Sequence, residues 1–214
     1  MKIGILGTGA VGKALARGFI EIGYDVMFGT RDPKAEKIAT MLTELGPKAS
    51  AGTFAEAAKF GELAVLCTLW SGTESAVKLA TPENLAGKVV IDTTNPLAFK
   101  PGAPPSLAIG HTDSAGETIQ RWLPDSHVVK AFNIVGNADM VHPDFPGGPP
   151  DMFICGNDKD AKKKVTEILT AFGWVTIDIG GIEGSRLLEP LCILWVTYGI
   201  HHGSWRHAFK LLQR

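Results

Sequence analysis

The sequence predicts an α/β protein, a doubly wound Rossmann-type parallel sheet with a small helical extension at its C-terminal end. Three observations lead to that expectation. Short apolar runs alternate with helix-like patterns from residue 2 to about residue 180. A Gly-x-Gly-x-x-Gly turn joins the first run to the first helix. The closing segment, Ser185 to Leu211, is apolar on more than one face. The expected division is a dinucleotide-binding domain over residues 1–180 and a helical segment over 181–214 that completes a cleft and offers a dimer interface.

The elements follow in order. Lys2 to Gly7 is a short apolar run ending in glycine, and Val11, Leu15, Phe19 and Ile22 then recur at the spacing of one helix face. Tyr24 to Phe28 reads as a second strand. Asp32 and Pro33 look like an N-cap followed by proline at the first helical position, which predicts a helix through about Leu45. Lys48 to Thr53 is a candidate edge strand, Phe54 to Phe60 a helix, Leu63 to Leu69 a buried strand, Thr73 to Ala80 a helix and Lys88 to Thr93 another strand. Beyond Asn95, eight of the 13 prolines fall in two loops, NPLAFKPGAPPSLAIGHTD and VGNADMVHPDFPGGPP, a composition that suits either disordered connections or structured lids around a site. Between them a helix is expected near Ser114 to Trp122 and a strand near His127 to Phe132. After them come a strand Met152 to Cys155, a helix Asp160 to Phe172, a strand Val175 to Ile179 and a helix over Ser185 to Leu211.

Composition narrows the function. The 214 residues are 45% hydrophobic and 20% charged, enough for a sizeable core. The formal net charge is -1, from 21 basic and 22 acidic side chains without a long run of either sign, so nothing marks the chain for nucleic acid or an anionic membrane. No apolar stretch approaches the roughly 18 residues of a membrane span, and the first apolar run breaks too early for a signal peptide. Cys67, Cys155 and Cys192 are odd in number and widely spaced among apolar neighbours, which predicts three buried thiols in a reducing cytoplasm.

Gly7, Gly9 and Gly12 stand between an apolar strand and an amphipathic helix, the context a dinucleotide fingerprint requires. The first glycine permits a tight turn, the second lets a pyrophosphate approach the backbone, and the third lets helix and strand pack closely. About twenty residues on, where NAD-binding chains carry an acid for the ribose 2'-hydroxyl, this chain has Thr30 and Arg31, with Lys34 following. A guanidinium fork, a hydroxyl and an ammonium suit a 2'-phosphate, so NADP(H) is the expected cofactor. Leu69 and Trp70, after the fourth strand, and Asn95 and Pro96, after the fifth, lie at carboxyl ends of strands, where such sheets bind ligands. Trp70 is read as a wall of the cofactor site or as packing, and Asn95 as a partner of the nicotinamide or as part of a turn, with a cis Asn95-Pro96 bond as one option. Lys130, Asn133 and Ile134 are candidate substrate contacts. Lys130 reads equally as an acid, an anchor or a solvent-facing lysine. His201, His202 and His207 lack companions at ligand spacing, so no metal is expected. No paired carboxylate or serine elbow is visible, so no catalytic residue is named. Direct ring-to-ring hydride transfer to a planar acceptor accounts for that.

Through ILGTGAVGKALA, GTRDPKAE, AVLCTLW, VVKAFN and GGIEGSRLLEPL, the chain resembles, over nearly its whole length, the NADPH-dependent reductases of coenzyme F420, an 8-hydroxy-5-deazaflavin. The early motifs are shared by many dinucleotide enzymes, including ferric reductase domains, whereas SRLLE is more specific. The resemblance implies NADP(H) as cofactor and F420 as co-substrate, stacked on the nicotinamide in a cleft that the C-terminal part helps to form. It also implies roles for Thr8, Ala10 and Val11 at the phosphates and for Thr30, Arg31 and Lys34 at the 2'-phosphate. Where archaeal members carry Ser and His before the second loop, this chain has Lys130 and Asn133. Alternatives are a reductase of a flavin, a ferric chelate or a small carbonyl or imine, and a non-catalytic NADPH-binding sensor. A homodimer is the expected assembly.

Overall fold

A computed structural model describes residues 1–100 and 102–212. In chain order the main elements are β1 (Lys2–Leu6), α1 (Ala10–Glu21), β2 (Asp25–Gly29), α2 (Glu36–Leu45), β3 (Ala49–Gly52), α3 (Phe54–Phe60), β4 (Leu63–Leu66), α4 (Trp70–Ala80) and β5 (Val89–Asp92). They continue with β6 (Leu97–Ala98), β7 (Ser106–Leu107), α5 (Ala115–Trp122), β8 (His127–Lys130), β9 (Asp151–Gly156), α6 (Lys159–Ala171), β10 (Val175–Asp178) and α7 (Ser185–His202).

Eight strands form one sheet in the order β10-β9-β8-β5-β4-β1-β2-β3, and β6 and β7 form a separate two-stranded ribbon. The six strands from β8 to β3 run parallel. The chain order reverses between β1 and β4, which places the ligand-binding crevice of such sheets beside the end of β1. β9 pairs antiparallel to β8, with Lys130 opposite Cys155. Among the described residues, this pair is the one departure from the expected parallel sheet: the long loop after Phe132 brings the chain back to β8 without a crossover helix.

Side chains alternate between two cores, as the two-residue period of a strand demands. Ile3, Ile5, Leu63, Val65 and Val129 face one layer, with Phe19 of α1, Met41 of α2 and Leu169 of α6. Leu6, Ala64, Leu66 and Val128 face the other, with Ala57 of α3, Val77 of α4 and Ile119 of α5. Buried on both faces, these strands read as continuous apolar runs, which is why the sequence reveals them.

Two helix boundaries differ from expectation. α2 begins at Glu36 with Ala35 at its N-cap position. Asp32 Oδ1 instead accepts from the Lys34 N–H at 3.1 Å, closing a local turn around Pro33. α7 ends at His202, where Gly203 takes a left-handed φ of 61°. The following residues fold back as a strap: Trp195 Nε1 donates to His207 O at 2.8 Å, and the Leu211 N–H donates to Asp151 Oδ2 at 2.6 Å. The apolar residues expected to extend α7 beyond His202, such as Trp205 and Phe209, therefore lie on this strap.

Candidate functional site

Gly7 has φ +126°, and a Cβ there would lie 2.6 Å from Cys67 O. A Cβ on Gly12 would lie 2.7 Å from Gly7 O. Gly9 differs: a Cβ there meets nothing within 4 Å. Two glycines are thus required by the protein's own packing, and the third leaves open space in front of α1. The first intrahelical backbone bond at this end runs from Lys13 N to Gly9 O at 3.0 Å. The N–H groups of Ala10, Val11 and Gly12 precede that bond, and no acid stands in the first turn. Open backbone, free donors and the positive end of a helix dipole fit a pyrophosphate.

Thr30, Arg31 and Lys34 follow β2 directly. The Thr30 N–H donates to Gly52 O at 3.0 Å, which fixes the strand end against β3. Arg31 and Lys34 are exposed, and neither forms an ion pair among the described residues. Their charges are free to meet an anion beside the crevice.

The ends of β4, β5 and β8 line the other half. Leu69 is 84% exposed at the start of α4. The Trp70 ring stacks on Trp122 of α5, with centroids 5.7 Å apart. One face of its ring is taken by that packing, and Leu69 presents free apolar surface. Asn95 and Asn133 clamp two loops together: Asn95 Nδ2 donates to Asn133 O at 2.8 Å, and Asn133 Nδ2 donates to Asn95 Oδ1 at 3.0 Å and to Leu188 O at 2.9 Å. Asn133 Oδ1 is buried and has no hydrogen-bond partner among the described residues. No peptide bond described is cis, so Asn95-Pro96 is trans. Phe132 takes a left-handed φ of 61°, an unfavourable conformation for a bulky residue, at the turn that places Asn133 and Ile134. Ile134 itself is buried in the core.

Lys130 is placed unlike any of its expected roles. Its side chain is fully buried, with Nζ 2.7 Å from Asp92 Oδ2, 2.9 Å from Glu189 Oε1 and 2.8 Å from Thr94 O. The ammonium donates a hydrogen bond to Thr94 O and makes ion-pair contacts with both carboxylates. The solvent-facing, acid and anchor readings are therefore corrected: in this structure no proton of Lys130 faces the crevice. Burial pulls its pKa down, yet attraction to Asp92 and Glu189 outweighs that and holds it above the ordinary lysine value.

The SRLLE motif of α7 explains itself residue by residue. Ser185 Oγ lies 3.3 Å from Cys155 Sγ, and Arg186 makes a two-pronged ion pair with Glu117 of α5. Leu188 offers its carbonyl to Asn133, and Glu189 accepts from the Ala115 and Gly116 N–H groups at 3.0 Å each. Sequence reasoning missed Asp92, Glu189 and Ser185. A lone acid inside the apolar run LLEPLCIL was the available signal.

Other candidates lie apart. His202 stacks on Tyr198, and His207 on Trp195. A cavity of about 500 Å³ opens near the start of β8, lined by residues that include Gln120, His127 and Asp158, at the sheet edge opposite the glycine turn. Cys67, Cys155 and Cys192 are buried free thiols, and burial pushes them up to about 12, 11 and 12 respectively. In the unfolded chain thiols titrate near 8.5. Folding then retains protons that unfolding releases, so stability is full below about pH 8.5 and falls above it, by about 1.4 kcal/mol per pH unit for each thiol. Denaturant midpoints at pH 8.0 and 9.5 test this, and Cys→Ala substitution should flatten the slope.

Fold and glycine turn together define a Rossmann-type dinucleotide-binding protein. Residues 2–96 match the family model described as NADP oxidoreductase coenzyme F420-dependent. The chain is 33% identical over 213 residues to the F420-dependent NADP reductase of Methanocaldococcus jannaschii, with 95% of each protein covered. It superposes with a TM-score of 0.94 and 38% identity over 100% of both chains on a structure from Arthrobacter sp. FB24 provisionally assigned as an F420-dependent NADP-reductase. It is also 28% identical over 194 residues to Metalloreductase STEAP3 of Rattus norvegicus, covering 89% of this chain and 36% of that protein. The chain belongs to the F420-dependent NADP oxidoreductase family, and it is an NADP-dependent oxidoreductase.

Proposed function

We propose that this protein transfers a hydride between NADPH and coenzyme F420, its deazaflavin ring stacked on the nicotinamide. The observation that carries the reading is the burial of Lys130, the proton donor the sequence offered, whose ammonium is held among Asp92, Glu189 and Thr94 O. Carbonyl reduction usually needs such a donor, whereas ring-to-ring transfer does not. The cofactor supplies the hydride chemistry, and the chain supplies binding, alignment and exclusion of water. Gly7, Thr8, Gly9, Ala10, Val11 and Gly12 would hold the pyrophosphate, and Thr30, Arg31 and Lys34 the 2'-phosphate. The ends of β4, β5 and β8 would receive the nicotinamide. Leu69 and Phe99, 84% and 72% exposed, offer apolar surface for a flat ring. Residues 181–212, with helix α7 and the strap after it, would complete this cleft.

Similarity to a metalloreductase favours a second reading, in which the acceptor is a flavin or a ferric chelate. Steady-state oxidation of NADPH with F420, flavin mononucleotide, ferric citrate and a cyclic imine separates the two. F420 should turn over at least tenfold faster than the rest, and preference for another acceptor would replace it.

The exposed face of α7 supports a homodimer, and the three free, buried thiols fit a reducing cytoplasm. Leu187, Leu194 and Tyr198, in line on one side of the helix, are 69%, 56% and 47% exposed, more apolar surface than one helix face usually leaves to water. Light scattering should give twice the 22.8 kDa of one chain, and Leu194→Glu should give the monomer.

A further inference from the structure

Lys130, Asp92 and Glu189 form an ion triad in which no side chain is more than 1% exposed. Burying three charges is expensive, and a packed apolar trio of the same volume is often as stable or more so. Stability alone therefore gives little reason for this arrangement. Geometry supplies another. Lys130 Nζ binds Thr94 O, whose N–H and Oγ both donate to Asp92 Oδ1, at 2.8 and 2.7 Å. The next residue, Asn95, is clamped to Asn133, and Asn133 donates to Leu188 O, one residue before Glu189. Glu189 returns to Lys130 and also binds the first two N–H groups of α5. The circuit closes through the ends of β5 and β8 and the starts of α5 and α7. Nothing in it touches the glycine turn or Arg31. Space around it is tight: a Cβ on Gly116 would collide with Ser185 Oγ and lie 3.3 Å from Lys130 Cε.

We infer that Lys130 is a positioning residue for the nicotinamide half of the cofactor, fixing the Thr94-Asn95 and Asn133 loops as one rigid wall through the buried triad with Asp92 and Glu189. The inference rests on NADP lying along the carboxyl edge of the sheet, with its adenosine half toward β2 and its nicotinamide half toward β5 and β8. Lysine reaches three acceptors at once, two at the end of β5 and one on α7, which no neutral side chain of that length does.

The test compares two ligands, NADPH and 2'-phosphoadenosine 5'-diphosphoribose, which keeps the phosphates but lacks the nicotinamide. Lys130→Met should weaken NADPH at least tenfold in a calorimetric titration and leave the truncated ligand within twofold of its original affinity. Glu189→Gln, which removes the charge and retains one oxygen for the Gly116 N–H and Lys130, should show the same selectivity at smaller size and decides the matter if Lys130→Met does not fold. A merely structural role would weaken both ligands together or neither, and either outcome in a folded variant overturns the inference. The comparison needs no acceptor, so failure to reduce F420 would sink the acceptor assignment and leave this result standing.

Discussion

Arg31→Ala should weaken NADPH binding by ten- to a hundredfold and leave NADH almost unchanged. The argument begins with position: Arg31 directly follows the β2 end that Thr30 fixes to β3, it is exposed, and it has no ion-pair partner among the described residues. A guanidinium free in water gains a full set of charge-assisted hydrogen bonds when a phosphate arrives. Such bonds contribute about 1.5 to 3 kcal/mol each, and about 1.4 kcal/mol is a factor of ten in affinity. Lys34 and Thr30 remain in the variant, which sets the upper end of the range. Fluorescence titration with both cofactors measures the effect. Equal loss for NADPH and NADH would show that Arg31 supports the fold and does not read the 2'-phosphate.

The glycines of the turn should separate by mechanism. Gly7→Ala should destabilise the free protein by about 3 kcal/mol or more, because a side chain at φ +126° is strained and its Cβ would press on Cys67 O at 2.6 Å. Gly9→Ala should leave the free protein within about 1 kcal/mol of its original stability, the scale of a changed helix cap. Its Cβ enters empty space in the free protein, but that space is where a pyrophosphate must approach the backbone. NADPH binding should fall at least tenfold in Gly9→Ala. Thermal melts with and without NADPH read both effects, and a Gly9→Ala protein that still gains its full cofactor-induced shift contradicts the assignment of that space to phosphate.

Much of this could be read without coordinates because the deciding physics is local. The glycine turn needs only chain geometry, and β1, β4 and β5 announce themselves as apolar runs buried on both faces. The Arg31 position follows from a fixed distance along one unit of strand, turn and helix. Long-range pairings left no such trace. The antiparallel joining of β8 and β9 depends on how a loop of prolines and glycines turns, and neither period nor propensity encodes that. Lys130 was misread because a lysine at a strand end is normally solvated, and its burial requires two acids, one from β5 and one from a helix 59 residues along the chain between Lys130 and Glu189. Trp70 has a large ring that suits a ligand wall or packing equally well, and its stacking on Trp122, far along the chain, leaves no local trace. The end of α7 was missed because Trp205, Phe209 and Leu211 continue its apolar character, although Gly203 marked the stop.

The most direct measurement of the central claim is a single turnover with NADPH deuterated at the transferring C4 position and F420 as acceptor, followed by the mass of the reduced deazaflavin. Direct ring-to-ring transfer predicts one deuterium in the product for each NADPH consumed, with absorbance lost at the same rate from donor and acceptor. Reduced F420 without the label, or NADPH oxidised only when a carbonyl, imine or ferric chelate is supplied, would contradict the stacked-ring account.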